Sequence, residues 1–193
     1  MLCICTNATG QPQLNIASVR SGSGIETPSL PLSTDLPSRI PAGADVFRSI
    51  ADQHFQCNTG FTEKQCQEEV AILEKALASY PLPQLGSWTW ILVRSEDWKP
   101  ILLPRGLDPD SPAFTFSAKR QTFIEDALVA PGSARARELL LKWHMKISDL
   151  LDLAIRHELG HAVCQNSTEQ SAELVARLLQ QKKPISCVAS SKK

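Results

Sequence analysis

The chain has 193 residues, of which 42% are hydrophobic, and its 20 basic and 20 acidic side chains give a formal net charge of zero. This length suits one compact domain with loose ends, or at most two small domains, and the hydrophobic content is sufficient for a core. The balanced charge argues against a nucleic-acid-binding protein, and the absence of an apolar run of about 18 residues argues against a membrane span.

The N-terminal part of the sequence is rich in Ser, Pro, Gly and Thr. The stretch SGSGIETPSLPLSTDLPSRIPAG has neither helical nor alternating apolar spacing, so residues 1–43 are predicted to form a flexible or loosely docked arm. A folded domain is expected at 44–183, followed by a tail at 184–193. Because the first residues lack a charged head and a long apolar run, we expect either a cytoplasmic protein or an extracytoplasmic one whose leader lies upstream.

Two helices are predicted at the start of the domain. The stretch ADVFRSIADQHF (44–55) is typical of a short amphipathic helix, with Val46, Phe47 and Ile50 on one side. In FTEKQCQEEVAILEKALASYP (61–81), Thr62 and Gln65 match a capping box, and Pro81 ends the helix. The apolar residues of this second helix recur at steps of three and four, which places on one face Cys66, Val70, Leu73, Leu77 and Tyr80.

Strand-like segments follow. SWTWILVRSEDW (87–98) has a dense aromatic and β-branched centre, and AFTFSAKRQTFIEDALV (113–129) reads as two short strands joined by a turn at AKRQ. The proline-rich stretch between them, PILLPRGLDPDSP (100–112), is predicted to be a loop. Ser133 is a plausible N-cap for the helical sequence that follows. The order helix, sheet, helices predicts an α+β fold in which a small twisted β-sheet packs on helices.

The most informative stretch is AIRHELGHAVCQNSTEQSAELVARLL (154–179). His157 and His161 are four residues apart, so on a helix they are offset by about 40° and both imidazoles can reach one metal ion. Glu158 lies at the edge of the same face, where it can hydrogen-bond a water molecule without ligating the ion. This H-E-x-x-H spacing therefore indicates a zinc site with a carboxylate base.

Catalytic zinc takes a third protein ligand. The polar stretch CQNS interrupts the helix, and Ser167 or Thr168 can cap a second helix on which Glu169 and Glu173 share a face. We predict Glu169 as the third ligand because it lies in the first turn. Glu173 would then orient a ligand histidine through its free N–H group, and the exchanged assignment of the two glutamates stays open.

The alternative is that the two histidines lie on the polar side of an ordinary helix. Apolar residues at Leu150, Leu153 and Ala154 predict that this face is buried, where imidazoles without a partner would be costly. Of the other candidates, His144 is expected to be an ordinary surface or core histidine, and His54 could approach the site only through tertiary packing and is likewise not expected to be a ligand. Tyr80 is expected to pack rather than to stabilise an oxyanion.

Six cysteines lie at positions 3, 5, 57, 66, 164 and 187. Cys57 and Cys66 bracket a turn, and Cys164 and Cys187 bracket the terminal helix, so both pairs could form disulfides. Buried free thiols are the alternative. A thiolate zinc site is not expected, because the sequence contains no C-x-x-C.

The two motifs together resemble the gluzincin zinc peptidases. The similarity is to the minimal gluzincins and to the zinc-peptidase domain of bacterial repressor-cleaving regulators, which have H-E-L-G-H on one helix and E-x-x-A-[DN]-x-x-A on the next. Residues that fall on the second pattern are Glu169, Ala172, Glu173 and Ala176, with Glu in place of the usual Asp or Asn.

The resemblance covers residues 155–180 and implies roles for four of them. His157, His161 and Glu169 would be the zinc ligands, and Glu158 would be the general base. The seven residues between His161 and Glu169 are fewer than in many gluzincins.

Together these features predict a zinc-dependent peptidase that hydrolyses peptide bonds through a metal-activated water and a glutamate base. A peptide or protein substrate would add as an extended strand to a sheet edge, for which the candidates are Phe114, Thr115, Phe116 and Ser117. Two alternatives stay open: a non-catalytic, zinc-stabilised binding module of zincin fold, and a secreted interaction domain without metal.

Overall fold

The computed structural model describes residues 52–80, 82–165 and 168–187. The predicted arm at 1–43 and the apolar side formed by Val46, Phe47 and Ile50 lie outside these residues. The described secondary structure consists, in chain order, of β1 (Gln53–Cys57), α1 (Glu63–Leu77), β2 (Trp88–Val93), α2 (Ser95–Leu102), β3 (Ala113–Phe116), β4 (Gln121–Glu125), α3 (Ala134–Trp143), α4 (Ile147–Cys164) and α5 (Glu169–Gln180), with four single 3-10 turns.

The four strands form one mixed sheet in the order β1-β2-β4-β3. The first three strands in this order are parallel, and β3 runs antiparallel to β4 at one edge. Helix α1 follows β1 and precedes β2, and α2 lies between β2 and the β3–β4 pair. The fold is therefore α+β, as predicted, with a small mixed sheet and five helices in the described part of the chain.

Side chains alternate along each strand, so they point to both faces of the sheet. Both faces are buried. On one face, Trp88 and Trp90 belong to the main core, which includes buried residues of α1, α3 and α4. On the other face, Ile91, Val93 and Phe123 pack with Trp98 and Leu102 of α2. Trp88, Trp90 and Trp98 are fully buried in these two layers.

Local signals read from the sequence are confirmed in α1 and α3. The Thr62 hydroxyl accepts a bond from the Gln65 amide, the Gln65 side chain accepts one from the Thr62 amide, and Ser133 caps α3 at 3.0 Å from the amide of Ala136. The predicted apolar face of α1 is buried at Cys66, Val70, Leu73 and Leu77. The signals for these helices involve residues only a few positions apart, so they can be read from the sequence alone.

The predicted helix at 44–55 is wrong over its last three residues, which belong to strand β1. Asp52 has a left-handed φ of 68°, which breaks the chain direction immediately before the strand. Inward-facing Gln53 is paired across the sheet, because it accepts a bond from the Trp90 indole and donates one to the carbonyl of Gly86. Residues of β2 and of the turn before it therefore satisfy the buried polar side chain of β1.

The loop predicted at 100–112 is wrong over its first six residues. Helix α2 continues through Pro100 to Leu102, and a 3-10 turn over Leu103–Arg105 ends at Gly106, whose φ is 66°. Proline removes one helical hydrogen bond. Burial of Trp98 and Leu102 against the sheet maintains the helix despite this loss.

Two disulfides are present, so the free-thiol alternative is wrong for four cysteines. Cys57–Cys66 joins the end of β1 to α1 inside the core, and Cys164–Cys187 joins the end of α4 to the segment after α5. No helix in the described ranges is both long and apolar enough to cross a bilayer.

Candidate metal centre

Helix α4 places both histidines in the interior. All residues from Ile155 to Ala162 are buried, because the helix contacts strand β3 as well as helices α1, α3 and α5. His157 and His161 lie one turn apart, with ring centroids separated by 5.0 Å and ring planes inclined at 79°. The predicted convergence of the two imidazoles is therefore present.

Helix α5 brings a carboxylate to the imidazole pair. Glu169 Oε2 lies 3.0 Å from Nε2 of His157, and Glu169 Oε1 lies 3.6 Å from Nε2 of His161. One ligand atom from each of the three residues lies within 4.8 Å of the other two. Two donors each about 2.1 Å from a tetrahedral zinc ion are about 3.4 Å apart, so this two-nitrogen, one-oxygen set fits zinc.

The electrostatics of Glu169 suit a ligand. Partial burial opposes ionisation, yet hydrogen bonds to His157 and His161 outweigh it and lower the pKa of Glu169 to about 2. The carboxylate is therefore charged at neutral pH, as metal ligation requires. Glu169 is half-exposed, with 49% of its side chain accessible, whereas the imidazoles are buried. The cluster therefore opens to solvent on the α5 side.

Glu158 lies in a different environment from Glu169. Burial raises the pKa of Glu158 above its usual value, and the neighbouring His157 and His161 oppose this rise. Among the described residues, neither Oε2 of Glu158 nor Nδ1 of His157 has a hydrogen-bond partner, although both atoms are buried. Buried polar atoms normally have partners, so each of these two atoms is an exception to that pattern.

Glu173 does not reach the imidazoles through any described contact. Its carboxylate accepts two bonds from Arg177, at 3.0 and 3.2 Å. Glu173 lies one turn further along α5 than Glu169, and the arginine four residues on satisfies it instead. The predicted role of Glu173 in orienting a ligand histidine is therefore not seen, and of the two glutamates Glu169 is the one at the histidines.

Gly160 allows α4 and α5 to approach closely. A Cβ atom on Gly160 would lie 2.5 Å from the carbonyl oxygen of Ala172, a separation that real Cβ atoms do not adopt. The missing side chain lets the two backbones touch beside the histidines. The available signal was a lone glycine inside a helical pattern, which often reflects close packing.

Edge strand β3 runs beside the histidine helix. The Thr115 hydroxyl lies 3.4 Å from the carbonyl oxygen of Glu158, and the Ser117 hydroxyl lies 3.5 Å from that of His161. Thr115 also bonds Thr122 on β4 at 2.8 Å, and Thr122 accepts a bond from the indole of Trp88. A chain of polar groups therefore runs from the sheet to α4.

The predicted edge segment is confirmed as a strand for its first three residues only. Phe114 stacks on Phe123, with centroids 4.6 Å apart, and Phe116 is partly exposed beneath the ammonium group of Lys119. Ser117 begins a 3-10 turn over Ser117–Lys119 rather than continuing the strand. Arg120, with a left-handed φ of 55°, ends this turn before β4 begins.

The remaining candidates lie outside the three-donor cluster. His54 is in β1, and His144 ends α3 with a left-handed φ of 50°. The Tyr80 hydroxyl donates to Asp152, and burial followed by this contact raises the pKa of Tyr80 well above its usual range. Tyr80 thus links the segment after α1 to α4 and is not joined to the His157, His161 and Glu169 cluster.

Comparison of the chain with protein-family models, with curated proteins and with solved structures finds no match in any of the three. The similarity to gluzincins therefore rests on the residues of the two motifs.

Proposed function

We propose that this chain is a zinc-dependent peptidase in which His157, His161 and Glu169 hold the metal. The observation that carries the proposal is the meeting of three donor atoms from two helices at separations that suit one ion. Two imidazoles and one carboxylate are a typical donor set for catalytic zinc, which keeps a further position for water or substrate.

Zinc bound there would lower the pKa of a water molecule towards neutrality and polarise the carbonyl group of a substrate. Glu158 would then serve as the group that accepts a proton from the attacking water and returns it to the leaving nitrogen. Two features support this role. Glu158 is adjacent to His157 in sequence without belonging to the three-donor cluster, and it carries a buried oxygen with no described partner.

The substrate class follows from the position of β3. This strand pairs with β4 on one side and is the outermost strand of the sheet as described, next to α4. An extended peptide can add to such an edge through backbone hydrogen bonds. We propose that Phe114, Thr115 and Phe116 form this edge, and that Ser117 contributes from the adjoining turn.

The disulfides bear on where such a peptidase would work. Disulfides form and persist in oxidising environments and are rare in the cytosol. The Cys57–Cys66 and Cys164–Cys187 bridges therefore favour an extracytoplasmic setting over a cytoplasmic one. We propose a peptide or protein as the partner, with no role for nucleic acid because the chain carries no basic surplus.

The test is a peptide-library assay of Glu158→Gln against the parent. We expect the variant to retain zinc while turnover falls by about 100-fold or more, because the proton acceptor is lost. Glu68→Gln is the matched control, since it removes the same charge from an exposed position on α1. Equal cleavage by Glu158→Gln and the parent would overturn the mechanism. A parent that binds zinc and cleaves nothing would instead favour the zinc-stabilised binding module.

A further inference from the structure

The Cys164–Cys187 disulfide lies next to the candidate metal centre. Cys164 is the last residue of α4, three positions after His161, and Cys187 follows α5. The bridge brings the two Cα atoms to 5.4 Å and closes a loop of sequence separation 23. Helix α5 lies inside that loop, with Glu169 in its first turn.

Both ends of the α5 segment are consequently tied to the end of α4. The N-terminal end is tied by the short peptide connection between residues 164 and 169, and the C-terminal end is tied by the disulfide. A closed loop restricts how far α5 can move away, because the chain cannot open at either end. The three ligands come from these two helices, so their relative position decides whether the donor set is complete.

The fully buried side chains of α5 are small, and its Leu179 packs only partly buried against the main core. The residues that α5 buries are Ser171, Ala172, Val175 and Ala176, and α4 meets them at Gly160. Hydrophobic stabilisation grows with the apolar area buried, so a face of Ala, Ser and Val contributes less than one of Leu and Phe. A covalent tie therefore has more influence on the docking of α5 than it would on a helix with large buried residues.

We propose that Cys164 and Cys187 are positioning residues of the metal centre, whose disulfide holds Glu169 against His157 and His161. This inference rests on the proposed function, since it assumes that the three residues bind zinc. The second disulfide provides an internal comparison. Cys57–Cys66 is buried in the core and joins β1 to α1, and neither element supplies a ligand.

The experiment is a zinc titration against a competing chelator for the parent, Cys164→Ser/Cys187→Ser and Cys57→Ala/Cys66→Ala. Cys187 is exposed and Cys164 is partly exposed, so serine is tolerated at both positions without burying an unpaired hydroxyl. We expect zinc affinity to fall about 10-fold or more in Cys164→Ser/Cys187→Ser, similar to the loss of a group that orients a ligand. The core variant should lower the melting temperature of the metal-free protein yet bind zinc within about twofold of the parent if it folds, because the sites are independent.

Hydrogen exchange of the metal-free proteins gives a second readout that does not depend on zinc. Amides of α5 should exchange faster in Cys164→Ser/Cys187→Ser than in the parent, while amides of the sheet keep their protection. This comparison stands even if the core variant does not fold. Equal zinc affinity and equal α5 protection in the parent and Cys164→Ser/Cys187→Ser would overturn the positioning role while leaving the peptidase proposal intact. A parent that binds no zinc would overturn the proposed function and this inference with it.

Discussion

The backbones of Gly160 and Ala172 touch, and no side chain fits between them. A Cβ on Gly160 would lie 2.5 Å from the carbonyl oxygen and 2.6 Å from the Cα of Ala172. Backbone atoms inside two packed helices cannot give way as the end of a flexible side chain can. Ala172 lies three residues after Glu169. This contact therefore fixes the position along α4 at which the Glu169 carboxylate meets the imidazoles.

Gly160→Ala is therefore expected to weaken both the fold and zinc binding. Alanine normally stabilises a helix interior relative to glycine by about 1 kcal/mol. Here the overpacking cost of roughly 1–3 kcal/mol opposes that gain, and the change separates α5 from α4. Thermal unfolding and a zinc titration measure the two effects. Gly132→Ala is the control, because a Cβ there meets nothing within 4 Å. A Gly160→Ala protein that binds zinc as tightly as the parent would show that the contact does not set the site.

The third ligand can be assigned by two alanine variants on one helix. Glu169→Ala removes the carboxylate that lies 3.0 Å from His157, whereas Glu173→Ala removes one that bonds Arg177. We expect zinc affinity to fall by more than about 100-fold in the first variant, a larger loss than for an outer residue, and to change little in the second. The same chelator competition measures both. A larger loss in Glu173→Ala would exchange the two roles.

Glu69 on α1 predicts a pH dependence of stability away from the metal centre. Burial, followed by the charge of Asp126, raises the pKa of Glu69 from 4.5 to about 7 despite the opposing charge of Arg94. The folded state therefore binds this proton more tightly than the unfolded chain does. By linkage, the contribution of Glu69 to stability is fully present below pH 4.5 and is lost as the pH rises to about 7.

Glu69→Gln tests that sign, because glutamine keeps the shape and removes the titration. We expect its melting temperature to exceed that of the parent at pH 8 and to approach the parent value at pH 4, where Glu69 is protonated in both states. Glu68→Gln makes the same charge change on an exposed neighbour and should show no such difference. A Glu69→Gln effect of equal size at both pH values would contradict the buried-carboxyl account.

Short-range patterns account for the parts of the fold that the sequence predicted. The capping box of Thr62 and Gln65 and the apolar face of α1 involve residues at most four positions apart. The strands β2, β3 and β4 are rich in aromatic and β-branched residues, which favour strands in many contexts.

Elements defined by distant partners were missed. The sequence of β1, QHFQC, has little strand propensity of its own, and its inward Gln53 is satisfied by Trp90, 37 residues away. Helix α2 contains Pro100, and its formation depends on burying Trp98 under the sheet. Both outcomes follow from tertiary burial, which overrides local propensity.

The candidate site also has one part that short-range spacing predicts and one part that depends on tertiary packing. The spacing of His157 and His161 follows from one helix, so the sequence predicts their convergence directly. The choice between Glu169 and Glu173 depends on how α5 docks, and Gly160 and the Cys164–Cys187 bridge influence that docking from outside the motif. Sequence spacing left the choice open for that reason.

The central claim is that one helix and the start of the next converge on a single divalent cation. Zinc stoichiometry and affinity of purified parent and His161→Ala proteins test it most directly. We expect one zinc ion per parent chain and the loss of tight binding in the variant, because one of three donors is removed. No zinc in the parent, or equal zinc in the parent and His161→Ala, would contradict it.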